Sequence, residues 1–286
     1  SLLDGERRRL ESVEYVGIVC VSLLLDKALA DYYLTYITDP ETPFTAVVEM
    51  TAFIDAADAP AHHTGQIKLH GAEAFEGMRK AGRFAAECLD MLTPHVVPGV
   101  LTSTLDDLAS KFVLERGGLP ACLFYKGYRH TVCTSVNHVV CHGIPGAKAL
   151  KDGDIVNIDV TVIVDGWHGD TSRMYSVGEV KRKAMRLMDV TYECMMRGIE
   201  SVKPGARLGD LGAAIQEHAE RQHYSVVEAF CGHGRGKVFH DSPNILHFGQ
   251  RGRGERLLPG MIFTVEPMIN LGRKDVALLA DGWTAV

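Results

Sequence analysis

The sequence has no basic run that could neutralise several phosphates. Its 286 residues carry 30 Lys and Arg against 36 Asp and Glu, a net charge of −6, which argues against a specific nucleic-acid partner. No apolar stretch reaches the roughly 20 residues of a membrane span. The longest, Tyr15 to Leu25, stops well short of that and has no convincing small-residue cleavage site after Asp26. The cysteines Cys20, Cys88, Cys122, Cys133, Cys141, Cys194 and Cys231 contain no C-x-x-C pair, so neither a disulfide framework nor a zinc knuckle is indicated. H-E-x-x-H and G-x-S-x-G are absent, and Gly232-His-Gly-Arg-Gly236 lacks the spacing and flanking elements of a nucleotide cradle. These absences point to a cytoplasmic protein with no membrane association.

A hydrophobic share of 46% with 23% charged residues describes a globular chain of one to three domains. There is no Met before Met50, and the residues ahead of it show no sustained periodicity. Trp283 to Val286 reads as the middle of a strand. The expected organisation is therefore a non-native or disordered segment, 1–49, and a single domain, 50–286, missing its last strand or strands.

A duplication lies in the middle of the chain. Phe75, Met78, Ala81, Ala85, Cys88, Leu89 and Leu92 recur at helical spacing over Ala72 to Val96, and Pro98-Gly99 ends the helix. A second helix, capped by Thr102 or Ser103, runs to Gly117-Gly118. The order recurs with Lys181 to Val202, Pro204-Gly205, and a helix through Leu208, Leu211, Ile215 and His218. Each half then reaches a strand ending in an acid, Gly153-Asp-Ile-Val-Asn-Ile-Asp159 and Gly260-Met-Ile-Phe-Thr-Val-Glu266. Pro98 and Asp159 are 61 residues apart, Pro204 and Glu266 62. Matched halves with matched acids predict an α+β pseudo-twofold fold around a central antiparallel sheet, its strand-borne carboxylates meeting at the centre.

Asp165-Gly166 between apolar runs is a strong two-residue hairpin signal. It predicts that 164 faces 167, 161 faces 170 and 159 faces 172. Asp159 and Asp170 then share one face of the pleat about 7 Å apart or less. Two such charges call for a shared proton or a cation, and inside a Val/Ile strand pair a metal ion is the better reading. Further candidate ligands are His233, whose small neighbours permit close approach, and Glu266, followed by Pro267. Two Asp, one Glu and one His form an oxygen-rich set suited to Mn, Fe or Co, with Zn possible. His142 and His240 sit in turn-forming loops leading into the acid-bearing strands. His168 shares the acid face, which the carboxylates explain without it, and the remaining histidines, His247 among them, carry no comparable warrant.

The run Asp159, Asp170, His233, His240, Glu266 resembles type I methionine aminopeptidases of bacterial or organellar form. The most telling segments are Val139-Val-Cys-His-Gly-Ile-Pro145, Asp152 to Thr161, His168-Gly-Asp-Thr171 and Phe263-Thr-Val-Glu-Pro-Met268. The resemblance, from about Ile67 to Val286, implies the pita-bread fold. It also implies removal of the initiator Met from nascent proteins with a small second residue, by a monomer working near the ribosome. It puts the ligands of two divalent metal ions (Co, Mn, Fe or Zn) on Asp159, Asp170, His233 and Glu266, with metal-bound hydroxide as nucleophile. Catalysis falls to Glu266, as proton carrier, and to His142 and His240, which also contact substrate. The methionine pocket falls on Cys122, Tyr125, Tyr128, Cys133, Phe239 and Trp283, and sulfur with aromatic faces suits a thioether. The family carries a further bridging Glu beyond the Gly-Trp-Thr segment, so an inactive truncated fragment is one alternative reading. An aminopeptidase P-like enzyme of the same fold is another.

Overall fold

Both halves place a pair of helices ahead of the strands that hold the acids, and the helix stripes account for where the cores form. A computed structural model describes residues 66–203 and 205–286, and the backbone of two short antiparallel strands upstream, β1 (Leu34–Tyr36) and β2 (Ala46–Val48). The chain divides into two units, Ser1–Thr64 and Gly65–Val286. Apart from β1 and β2, the expectations for residues 1–49 and for a boundary at Met50 lie outside the described residues, as do Cys20, His62 and His63.

In the second unit α1 (Ala72–Leu92) and α2 (Thr102–Glu115) precede β3 (Leu119–Pro120), β4 (Val132–Val136), β5 (Ile155–Val164) and β6 (Trp167–Ser176). The predicted hairpin register holds at every pair: Val164 with Trp167, Thr161 with Asp170, Asp159 with Ser172. Asp165 and Gly166 both take positive φ, 50° and 78°, as a type I′ turn requires. β4 and β3 flank β5 as antiparallel neighbours, giving a four-stranded sheet. The strand period of two separates its faces. Val156, Ile158, Val160 and Val162 join Ala81, Ala85, Leu89 and Leu92 of α1 in one core, while Asp159, Thr161, His168 and Asp170 lie on the other face. A Cβ on Gly169 would stand 2.1 Å from the Ala81 carbonyl oxygen, so only glycine lets α1 press this closely on the hairpin.

The second half repeats the order with less regular strands. After α3 (Arg182–Glu200) and α4 (Leu208–Arg221) come β7 (Ser225–Val226), β8 (Gly232–Gly234), β9 (Asp241–Ile245) and β10 (Ile269–Asn270). These pair as β8 with β9 and β7 with β10. Val190, Cys194, Leu211, Ile215 and Ile245 anchor a separate core.

Three local expectations are corrected. The segment 260–266 is not a strand. It makes one bridge, Phe263 with Gly234, flanked by hydrogen bonds from Arg235 N–H to Ile262 O (2.9 Å) and from Thr264 N–H to His233 O (2.9 Å). Pro259-Gly260 ahead of it and Pro267 behind it, which lacks an N–H, leave too little chain for a ladder. Trp283 to Val286 likewise forms only bridges, from Ala285 to Cys141 and to Leu278. Neither Thr102 nor Ser103 caps α2, because Leu101 occupies the cap position. The Thr102 hydroxyl is engaged elsewhere, accepting from Gly146 N–H at 2.9 Å and donating to Gly146 O at 3.1 Å.

Candidate metal centre

The polar face of the β5–β6 hairpin meets β8 and the segment before Pro267, and acids from both halves converge there. Asp170, His233 and Glu266 each offer a donor atom within 4.8 Å of the others, the one such group among the described residues. His233 Nε2 lies 3.5 Å from Glu266 Oε1 and 3.7 Å from Asp170 Oδ2. Asp159 stands outside this trio, with its carboxyl close enough to that of Asp170 for the two to repel when both are ionised. The predicted close approach at His233 is real. A Cβ on Gly234 would lie 2.0 Å from Ser242 O, so glycine is what lets β8 run against β9 with His233 facing the acids.

The electrostatics are those of carboxylates short of positive charge. Burial, then Asp170 and Glu266, push the Asp159 carboxyl well above the usual range. Burial and then Asp170 push Glu266 up to about 8, although its side chain remains 40% exposed. Burial holds the His233 imidazole below its ordinary value, with Arg235 adding to the effect. Such a set either keeps protons or accepts a cation.

Several residues without an assigned role hold this group in place. The Thr161 hydroxyl donates to Asp170 Oδ1 at 3.0 Å. Since Thr161 sits opposite Asp170 in the predicted register, that contact was available from the sequence. Thr264 ties two candidates together: its hydroxyl accepts from His233 N–H at 3.0 Å and donates to Glu266 Oε1. His247, completely buried, accepts from Glu266 N–H at Nε2 (3.1 Å), so its hydrogen sits on Nδ1, which finds no acceptor among the described residues. Burial keeps this ring neutral, with a pKa near 4. Arg235, 3% exposed, places Nη1 2.6 Å from Asp170 Oδ2. Arg235 lies just past the end of β8, beyond a register shift between His233 and Gly234, so no strand period signalled it.

Beside the acids, Cys122, Tyr128 and Cys133 form a buried cluster packed against Phe239 and Trp283. Tyr125 joins it, with its ring 4.5 Å from that of Phe239. Tyr125 O–H lies 2.9 Å from His240 Nδ1, and the His240 ring is 4.2 Å from that of His233. Desolvation, then His233 and Arg235, lower the His240 pKa to about 3. His142, with φ +55°, sits edge-on to Phe230 (5.3 Å) and Trp283 (6.3 Å), and burial lowers its pKa. Burial raises the thiols of Cys122 and Cys133 well above the ordinary value, so these walls stay uncharged. The structure thus groups Asp170, His233 and Glu266, sets His240 against His233 and Tyr125, and packs His142 against Trp283 at the edge of the sulfur and aromatic cluster.

The profile of metallopeptidase family M24 matches residues 76–286. The methionine aminopeptidase of Rickettsia prowazekii (strain Madrid E) is 58% identical over 219 residues, covering 76% of this chain and 85% of that protein. The chain belongs to the bacterial type I methionine aminopeptidases of family M24. The Escherichia coli (strain K12) methionine aminopeptidase is 50% identical over 220 residues, covering 76% of this chain and 83% of its own length. The crystal structure of the R. prowazekii methionine aminopeptidase matches with a TM-score of 0.76, covering 77% of this chain and 89% of that one. Membership accounts for the duplication, because the pita-bread fold is built from two such halves, and it makes the chain a metallopeptidase that uses divalent metal ions. The donor set fits such an ion: hard oxygens, one imidazole, and carboxyls whose pKa values are raised by burial and mutual repulsion, which a cation would offset. No helix among the described residues is long and apolar enough to cross a membrane.

Proposed function

We propose that the chain removes the initiator methionine from nascent polypeptides whose second residue is small, acting in the cytoplasm as a monomer close to the ribosome. The metallopeptidase domain is taken as residues 50–286. The observation that carries the reading is the meeting of Asp170, His233 and Glu266 within 4.8 Å beside a buried sulfur and aromatic pocket. Asp159, Asp170, His233 and Glu266 would hold divalent metal, with Mn, Fe or Co suited to the oxygen-rich set and Zn acceptable.

The metal, when bound, supplies Lewis acidity and lowers the pKa of water toward neutrality. The remaining work falls to side chains of this chain. Cys122, Tyr125, Tyr128, Cys133, Phe239 and Trp283 would take the thioether side chain, sulfur against aromatic faces. Carboxylates at the pocket's inner end would attract the substrate's α-ammonium, which fixes the cut after the first residue. Glu266 takes a proton at its carboxylate and returns it to the leaving amine, and the Thr264 hydroxyl on Oε1 fixes its orientation. With Tyr125 O–H donating to His240 Nδ1, His240 carries its hydrogen on Nε2, available to the developing oxyanion. His142, neutral at pH 7, is placed to act on the leaving amide nitrogen.

The test is release of the free first residue, Met from Met-Ala-Ser and Met-Lys-Ser or Ala from an Ala-Pro peptide, by the folded chain with Mn, Co or Fe added. Turnover of Met-Ala-Ser alone is expected. Preference for Ala-Pro, or no release under any metal, would contradict the proposal.

A further inference from the structure

Asp106 is a buried acid on α2 that none of the roles above uses. It is 9% exposed, and one short stretch of chain supplies all its partners. Oδ1 accepts from Thr131 N–H at 2.8 Å and from Val132 N–H at 2.9 Å, and Oδ2 lies 2.9 Å from His130 Nδ1. His130 is its one ion-pair partner among the described residues. A carboxylate is costly to bury unless donors such as these satisfy it. Thr131 and Val132 are themselves buried, so an apolar residue at 106 would leave two backbone N–H groups without partners.

The stretch held in this way carries walls of the methionine pocket. Tyr128 O–H donates to Val132 O at 2.9 Å, and the His130 ring stands edge-on to the Tyr128 ring at 5.7 Å. Asp106, Val132, Tyr128 and His130 therefore close a ring of contacts. Tyr128 lies edge-on to Trp283 at 5.0 Å, and Cys133, the residue after Val132, pairs with Asp159 across β4 and β5. Loss of the Asp106 carboxyl would free Tyr128 and Cys133 together, and with them the fit of the pocket between its aromatic faces and the acids.

We propose that Asp106, with His130, is a positioning residue that sets the depth of the methionine pocket and so decides which first side chain the enzyme accepts. Both act through Tyr128 and Cys133. One methylene in an apolar pocket is worth about 10- to 200-fold in selectivity, and a loosened wall forfeits that margin. The proposal rests on the pocket reading above and places part of its selectivity on residues outside the pocket.

The test is calorimetric titration of the full chain, supplied with Mn, with L-methionine and with L-ethionine, which is one methylene longer. The values of kcat and KM for Met-Ala-Ser are measured alongside. Both are repeated for Asp106→Asn, Asp106→Ala and His130→Ala, with folding checked by circular dichroism. Asp106→Asn keeps an oxygen for the two N–H groups and an amide N–H for His130 Nδ1, so its preference for methionine should stay within about twofold of the unaltered chain. Asp106→Ala should lower that preference at least about tenfold and raise KM, with kcat within about threefold. His130→Ala removes only the contact at Oδ2 and should lower the preference about threefold. It decides should Asp106→Ala fail to fold. A folded Asp106→Ala that keeps the preference, or that loses kcat at unchanged KM, would overturn the proposal and leave the pocket standing. So would an unchanged His130→Ala, or an Asp106→Asn as impaired as Asp106→Ala. No preference for methionine in the unaltered chain would overturn both the proposal and the pocket. Methionine bound selectively without turnover of Met-Ala-Ser would overturn only the reading of the reaction.

Discussion

The halves of the second unit follow the same sequence grammar and have diverged in what they contribute. In the first half, two ten-residue strands pair along their whole length, and 21 buried apolar residues form its core. In the second, strands of two to five residues surround a core of eight. His233, His240, Glu266 and Arg235 come from the second half, and the first supplies Asp159 and Asp170 from a regular hairpin and His142 from the loop ahead of it. The larger scaffold lies in one half, while both contribute reactive groups. Short, bridged segments can aim side chains along directions that a regular pleat does not allow.

This division can be broken by substitution. Glu266→Gln should lower kcat/KM by about 10³-fold, the several kcal/mol expected from losing a metal ligand and proton carrier. The melting temperature of the metal-free chain should not fall, because the variant removes a carboxyl already held against ionisation. Ile158→Ala lies on the opposite face of β5, within the larger core. It should cost about 2–5 kcal/mol in denaturant unfolding and leave kcat of the surviving folded fraction near normal. A reversal, with Glu266→Gln unfolding the chain or Ile158→Ala mainly damaging turnover, would break the comparison.

A smaller effect sharpens it. In the metal-free chain the carboxyls of Asp159 and Glu266 have raised pKa values, Glu266 to about 8. Since the folded pKa exceeds the unfolded one, their contribution to stability is complete below about pH 4 and is lost as pH rises through 8. His168 and His247 are depressed to about 4, so theirs is complete above about pH 6.5 and is lost as pH falls through 4. Between about pH 6.5 and 8, above the unfolded imidazole value and below that of the thiols, the carboxyls dominate, and the metal-free melting temperature should decline. Saturating Mn should remove that decline, and an unchanged slope with Mn would count against the carboxyls as its ligands.

The first half was legible in the sequence almost residue by residue. Asp165-Gly166 fixed the turn, the turn fixed the register, and the register put Asp159, Thr161 and Asp170 on one face. The second half was legible only as a list of residue types. Glu266 lies on no regular strand, because prolines on both sides deny it a ladder, so no pleat rule could say which way it points. Thr264 and His247 hold His233 and Glu266 through backbone N–H contacts that no side-chain pattern records. Arg235 looked like an ordinary charge in a glycine-rich turn, and its burial follows only from the close approach of β8 to β9.

Anomalous diffraction from crystals of the chain soaked in Mn would test the shared carboxylate site most directly. The account predicts a strong peak within about 2.5 Å of carboxylate oxygens of Asp170 and Glu266 and of His233 Nε2. A peak only elsewhere, or none at saturating Mn, would contradict it.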